Sequence, residues 1–222
     1  MKICSKPLVA LIALMVLALA LGLAVGCGGN DNTPPPPREP DQTTQPSVSQ
    51  YGEMGKVLLV VADQDFNEVE YNTAGKTLAD AGYQVVVANA SGVDSIGSSQ
   101  GIAPVDTTID KVKAGDYAAV VIVGGMGATQ YFEDPQLRAI VQEMDSAGKV
   151  VSAICVAPVV LANAGVLQDK EATVSQGMEG ELTAKGAVVV AQPVVVDGLI
   201  ITGWGPDAAN EFAQAVKVAL TP

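Results

Sequence analysis

Three short, nearly continuous apolar runs punctuate this chain, and they limit its fold more than any other feature. They are Lys56-Val57-Leu58-Leu59-Val60-Val61-Ala62, Tyr117 to Val123, and Lys149 to Ile154. None alternates apolar with polar residues as a strand with one wet face would. Each ends on a turn or corner, at Asp63, at Gly124-Gly125 and at Cys155. Runs of this length and composition read as strands buried on both faces, which requires covering helices on both sides.

The intervening segments supply those helices. Residues 67 to 81 are expected to form one, with Val69, Thr73, Ala74, Leu78 and Ala81 on its inner face and Gly82 as its stop. Pro135 to Ala147 reads as another, with proline in the first turn and Gly148 after the last. Ala157 to Ala164 and Pro206 to Leu220 complete the set. Further strands are expected at Tyr83 to Ala88, Ala187 to Val190, Val194 to Val196 and Leu199 to Ile201, and a small hairpin within the Gly- and Ser-rich stretch Ser91 to Asp106. Strands alternating with helices predict a mainly parallel sheet in a three-layer α/β sandwich.

Composition removes whole classes of function. The 222 residues include no histidine, so no Ser-His-Asp triad, Cys-His dyad or His-ligated metal site can be built from this chain alone. With 24 acidic and 12 basic side chains the formal net charge is −12, the wrong sign for nucleic acid. The three cysteines, at positions 4, 27 and 155, show no metal-binding or disulfide-framework spacing. No cofactor motif is present, and Glu179 and Glu181 read as solvated helix charges rather than metal ligands.

Residues 1–26 look like an address. Two lysines precede the apolar run Leu8 to Val25, which is long for a signal-peptide core and short for a membrane span. Leu23-Ala24-Val25-Gly26-Cys27 resembles a bacterial lipobox in which Cys27 is lipidated, although the leucine lies four residues before the cysteine rather than three. An uncleaved membrane anchor with an incidental Cys27 is the other reading. Under both, the remainder is exported and held at the cell membrane. Residues 27–52 contain Pro34-Pro35-Pro36-Pro37 among polar residues and read as a stalk. The folded domain is expected over 53–222.

Chemistry is expected where parallel strands end. In Ser152-Ala153-Ile154-Cys155-Val156-Ala157-Pro158 an apolar strand turns into a helix with a cysteine at the corner, the pattern of a nucleophile elbow. The positive end of the helix dipole would favour the thiolate and lower its pKa from about 8.5 into the range of roughly 3.5 to 7.5. The glycines of Val123-Gly124-Gly125-Met126-Gly127 would let backbone amides approach a ligand. From these residues alone an inert core cysteine and an ordinary βα loop remain open readings.

Taken together, several segments resemble the ThiJ/PfpI superfamily, which includes the parkinsonism-associated deglycase and has a class I glutamine amidotransferase-like fold. They are Asp63-Gln64-Asp65-Phe66-Asn67-Glu68-Val69-Glu70, Gly124-Gly125 before a Pro-capped helix, Ala153-Ile154-Cys155 with Pro158, Val196-Asp197-Gly198-Leu199-Ile200-Ile201-Thr202, and Gly205-Pro206 leading into Glu211-Phe212-Ala213. The resemblance covers residues 56 to 220 and implies a flavodoxin-like sandwich and a homodimer. It also implies Cys155 as the reactive cysteine, Glu70 as the glutamate contacting it, and Gly125 with the Val156 amide as an oxyanion site. Glu68, two residues from Glu70, cannot share its helix face.

Several positions depart from the family pattern. Val156 stands where peptidase-like members carry histidine, and Gln176 where deglycase-like members carry one. Ala157 replaces a glycine, Asp207 follows Gly205-Pro206 where glycine is usual, and Trp204 occupies a position that is more often small or basic. Trp204 either lines the pocket mouth or serves packing. Without histidine a Cys-His peptidase is excluded. Three readings survive: Cys-Glu chemistry of glyoxalase or deglycase type on a small carbonyl compound, a redox-sensing stress-protective thiol, or an inactive ligand-binding module.

Overall fold

The structure is a computed structural model that describes residues 54–221. The segments expected as an address and a stalk, with Cys27, lie outside those residues. Strand β1 (Lys56–Val60) is buried from Val57 onward and starts the central sheet. It is followed by β2 (Gln64–Phe66), α1 (Glu68–Asp80), β3 (Gln84–Asn89), β4 (Ser95–Gly97), β5 (Ile102–Ala103) and β6 (Thr107–Thr108). Then come β7 (Ala119–Ile122), α2 (Pro135–Ser146), β8 (Val150–Ile154), α3 (Pro158–Asn163), β9 (Glu171–Ala172) and α4 (Glu179–Ala184). The chain closes with β10 (Val188–Val189), β11 (Val194–Asp197), β12 (Ile200–Gly203) and α5 (Ala209–Leu220).

The central sheet has seven strands in the order β11-β12-β8-β7-β1-β3-β6. Every neighbouring pair is parallel except β11 with β12. All four residues of β7 and all five of β8 are buried, as continuous apolar runs between two helical layers require. This is the expected flavodoxin-like sandwich. From β1 the chain moves outward to β3, then crosses back to β7 and continues to β8 and β12. The strand order therefore reverses beside β1, which opens a crevice at the strands' C-terminal ends.

The predicted hairpin forms as β4 and β5, antiparallel, with β2 added parallel to β4. Strands β2, β6 and β9 were not expected, and their two or three residues are too short for a periodic signal. The closing helix starts later than expected, because Pro206–Ala208 form a tighter 3₁₀ turn before α5. The inner face of α1 also differs from expectation. Val69 is 55% exposed, and the buried stripe is Glu70, Ala74 and Leu78, one residue every turn. A carboxyl thus occupies the position of a core residue at the head of an apolar stripe.

Candidate active site

Cys155 sits at the sharp turn between β8 and α3 with φ of 65°, a left-handed conformation that costs a non-glycine residue about 1–3 kcal/mol. The turn is held by neighbours on both sides. The Cys155 amide donates to Gly203 O at 2.8 Å, and the Ser175 amide donates to Cys155 O at 2.8 Å. Ala153 and Ala157 are fully buried against it, where larger side chains would not fit a tight elbow. Strain maintained by surrounding bonds turns the thiol out of the β8 line and leaves it half-buried.

Glu70 arrives from α1. Asn67 caps that helix, its Oδ1 accepting the amides of Val69 at 3.0 Å and Glu70 at 3.2 Å. The Asn67 amide donates in turn to Gly124 O at 3.0 Å, which ties the start of α1 to the end of β7. The Glu70 carboxyl is only 1% exposed; its Oε2 accepts the Gly124 amide at 2.8 Å, and its Oε1 is buried without a hydrogen-bond partner. Burial pushes this acid up to about 7, against the lowering effect of the Gly124 amide and the Cys155 thiol. Glu68 takes a different job on the other face. It accepts the Ser99 amide at 2.6 Å, the Gly101 amide at 3.2 Å and the Ser98 hydroxyl at 3.1 Å, and so pins the β4–β5 loop to α1.

The two glycines after β7 are required by the space they occupy. A Cβ on Gly124 would collide with Cys155 Cβ and stand 2.7 Å from both Glu70 Oε2 and Ile154 O. Gly125 has φ of 96°, and a Cβ there would collide with Asp65 O and stand 2.6 Å from Asn67 N. The conformation of Gly125 brings its amide to the Cys155 sulfur, where the Val156 amide and the Ser175 hydroxyl also donate. These are the two amides expected to hold an oxyanion. Ser175 was not anticipated; it adjoins Gln176, and its role depends on a fold-back after β9 that no local pattern announces.

The expected lowering of the thiol pKa is not what the site produces. Burial, then the charge of Glu70, pushes the Cys155 thiol up, and the Gly125, Val156 and Ser175 donors only partly offset this. Helix α3 has six residues and brings a weak dipole, while a carboxylate in electrostatic contact is a strong local charge. Acid and thiol titrate as a pair, so the first proton lost belongs to both and the second leaves with difficulty.

Ser175, whose hydroxyl donates to the Cys155 sulfur, also lines a neighbouring cleft of about 490 Å³. Gln176 and Trp204 both line it, together with Val189, Val190, Glu179 and Asp207. Trp204 is 40% exposed there, which favours the pocket over a purely packing role. Gln176 is exposed and its amide does not titrate, so it cannot replace a histidine. Glu179 and Glu181 are exposed on α4, and among the described residues no group of three or more acidic or thiol side chains is placed to hold a metal.

A flavodoxin-like sheet with a cysteine on a nucleophile elbow, faced by a buried acid from the first helix, defines a class of cysteine-centred α/β proteins. The chain belongs to the DJ-1/PfpI family, which it matches over residues 55–218. It is 39% identical over 168 residues to an uncharacterised protein of Methanocaldococcus jannaschii, covering 74% of this chain and 82% of the relative. It is 32% identical to a Pyrococcus horikoshii protein named a deglycase, covering 73% and 99%. The crystal structure of a ThiJ/PfpI domain protein from Brachyspira murdochii superposes with a TM-score of 0.73 at 29% identity, covering 74% of this chain and 95% of that one.

Proposed function

We propose that this chain is a cofactor-independent, cysteine-dependent enzyme of glyoxalase or deglycase type that acts on small reactive carbonyl compounds. The observation that carries this reading is the buried Glu70 carboxyl in contact with the Cys155 thiol, with the Gly125 and Val156 amides converging on the same sulfur. The thiolate adds to an aldehyde carbon and forms a C–S bond. The carbonyl π electrons move to oxygen, which lies beside those amides and takes the Glu70 proton. Glu70, now a carboxylate, is the base for the next transfer from the former aldehyde carbon. If the neighbouring carbon is a carbonyl, that proton is returned to the neighbouring carbon while the hydroxyl proton passes to the neighbouring oxygen, which leaves a 2-hydroxy thioester that water cleaves to a hydroxy acid and free thiol. No histidine is required at any step.

The family's deglycase-named relative supports this substrate class. The test is turnover of methylglyoxal by the wild-type protein and by Cys155→Ser. Turnover that survives loss of the thiol defeats the enzyme reading. A second reading, a redox-responsive thiol, is favoured by the partial exposure of Cys155 among donors suited to an anionic sulfur oxyacid. Absence of turnover together with selective oxidation of Cys155 by peroxide would establish it instead.

The same reading places the domain over residues 53–222 outside the cytoplasm. It is tethered through a lipid on Cys27 or through the uncleaved 1–26 segment, with 27–52 as the stalk. The mass of the N-terminal peptide from membrane fractions separates these two anchors. The folded domain acts as a homodimer, which sedimentation equilibrium tests directly.

A further inference from the structure

Strand β12 carries one polar side chain in a place where a sheet core has no need of one. Ile200, Ile201, Thr202 and Gly203 are all buried, Thr202 completely. A buried hydroxyl is costly unless it is hydrogen-bonded. Thr202 Oγ1 accepts the amide of Thr173 at 2.9 Å, and Thr173 is itself buried. That amide belongs to the segment that follows β9, outside the seven-stranded sheet.

Two residues further on, the same segment reaches the elbow. The Ser175 amide donates to Cys155 O at 2.8 Å, and the Ser175 hydroxyl donates to the Cys155 sulfur. Upstream, the Glu171 amide donates to Asp197 Oδ2 on β11 at 3.0 Å, an exposed bond. Between that bond and Ser175, Thr202 supplies the buried tie to the sheet. Groups two residues apart repeat along one side of an extended chain. A bond at Thr173 therefore fixes how Ser175 arrives. Thr202 is itself well anchored: it pairs with Ala153 of β8, and Gly203 O, one residue on, accepts the Cys155 amide at 2.8 Å. The end of β12 thus holds the Cys155 backbone with one residue and the route to its hydroxyl donor with the residue before.

We infer that Thr202 is a positioning residue for Cys155: by holding the Thr173 amide, its buried hydroxyl sets the Ser175 hydroxyl on the sulfur. Thr202 acts through Ser175 and not on the thiol directly. The inference rests on Cys155 as the reacting thiol. That reading fails through methylglyoxal turnover by Cys155→Ser, whereas the role of Thr202 fails through the rates below.

The test is iodoacetamide alkylation of the full chain at pH 7, read on the Cys155 peptide by mass spectrometry. Thr202→Val keeps the β-branched shape and removes the acceptor. It should slow alkylation to the level of Ser175→Ala, about tenfold below wild type. Thr202→Ser, which keeps the hydroxyl, should restore most of the rate. The double variant Thr202→Val/Ser175→Ala should match Ser175→Ala alone, because residues acting through one another do not add, whereas independent losses would multiply to about a hundredfold. Ser95→Ala is the control: it removes another fully buried hydroxyl, which accepts Asn89 Nδ2 at 2.9 Å in the small sheet, and should leave the rate unchanged. An unchanged rate in folded Thr202→Val overturns the assignment, as does a multiplied loss in the double variant or an equal loss in Ser95→Ala. If Thr202→Val does not fold, amide hydrogen exchange of the wild-type chain decides. The Thr173 and Ser175 amides should be protected together and exchange at one rate, and a Thr173 amide that exchanges as fast as an unbonded surface amide overturns the assignment.

Discussion

Glu70 Oε2 accepts the Gly124 amide at 2.8 Å, while Oε1 of the same carboxyl is equally buried and has no hydrogen-bond partner. The acid is thereby aligned by one oxygen and left unsatisfied at the other. A buried carboxylate with both oxygens paired would hold its charge firmly. One paired with a backbone donor on a single side keeps its proton to higher pH, and the Cys155 thiol lies in hydrogen-bond contact with this same carboxyl.

The first prediction concerns the pH dependence of alkylation. With Glu70 raised to about 7 and Cys155 raised as well, Cys155 reactivity towards iodoacetamide should rise in two steps, one near pH 7 and one above the ordinary thiol range. Glu70→Gln should erase the lower step and leave a single one. Rates measured from pH 5 to 11 decide this; a wild-type profile with one ordinary step near 8.5 would falsify the shared proton.

Stability should carry the same signature. In the unfolded chain Glu70 ionises near its ordinary 4.5, and in the folded chain near 7. Between these values the native state binds more protons, so stability from this group is complete below 4.5 and is lost as pH rises towards 7. The expected loss is about 3 kcal/mol at most. Glu70→Gln cannot lose it, so the variant's advantage over wild type should widen from pH 4 to pH 8 in urea unfolding. A constant gap would show that burial of the acid carries no such cost.

Gly124→Ala should destabilise the fold by about 3 kcal/mol, because its Cβ has no space between Cys155 and Glu70. Gly115→Ala is the matched control, since nothing stands within 4 Å of a Cβ there. Chemical denaturation of both variants tests the comparison, and similar losses would show that the space at Gly124 is not limiting.

Ser175→Ala removes one donor from the sulfur while leaving the backbone bond to Cys155 O intact. A hydrogen bond to an ionised group is worth about 1.5–3 kcal/mol, so the thiol should ionise at higher pH and alkylation at pH 7 should slow by about tenfold. Thr in place of Ser should restore most of the rate. An unchanged rate in the alanine variant would assign Ser175 to folding of the loop alone.

Much of this arrangement was legible before any coordinates. The runs at β1, β7 and β8 carry the sheet in their composition, because a strand covered on both faces needs no polar alternation. Cys155 and the glycine pair were legible because each ends such a strand. Glu70 was harder to read from periodicity, since it occupies an inner position next to the exposed Val69, and its resemblance to a family glutamate identified it where the helical pattern did not. Ser175 and the final raised thiol pKa were not legible. Both depend on which residues the fold brings to one sulfur from β7, α1 and the segment after β9, and that information is three-dimensional.

The site is built from Glu70, Gly124, Cys155 and Ser175, each delivered by a separate excursion of the chain and joined only when β1, β7 and β8 stand side by side. An unfinished chain therefore carries Cys155 as an ordinary thiol, largely protonated at neutral pH, with neither acid nor amides beside it. The titration that the thiol shares with Glu70 begins only with native topology, so the pH profile of Cys155 labelling is itself an internal gauge of folding.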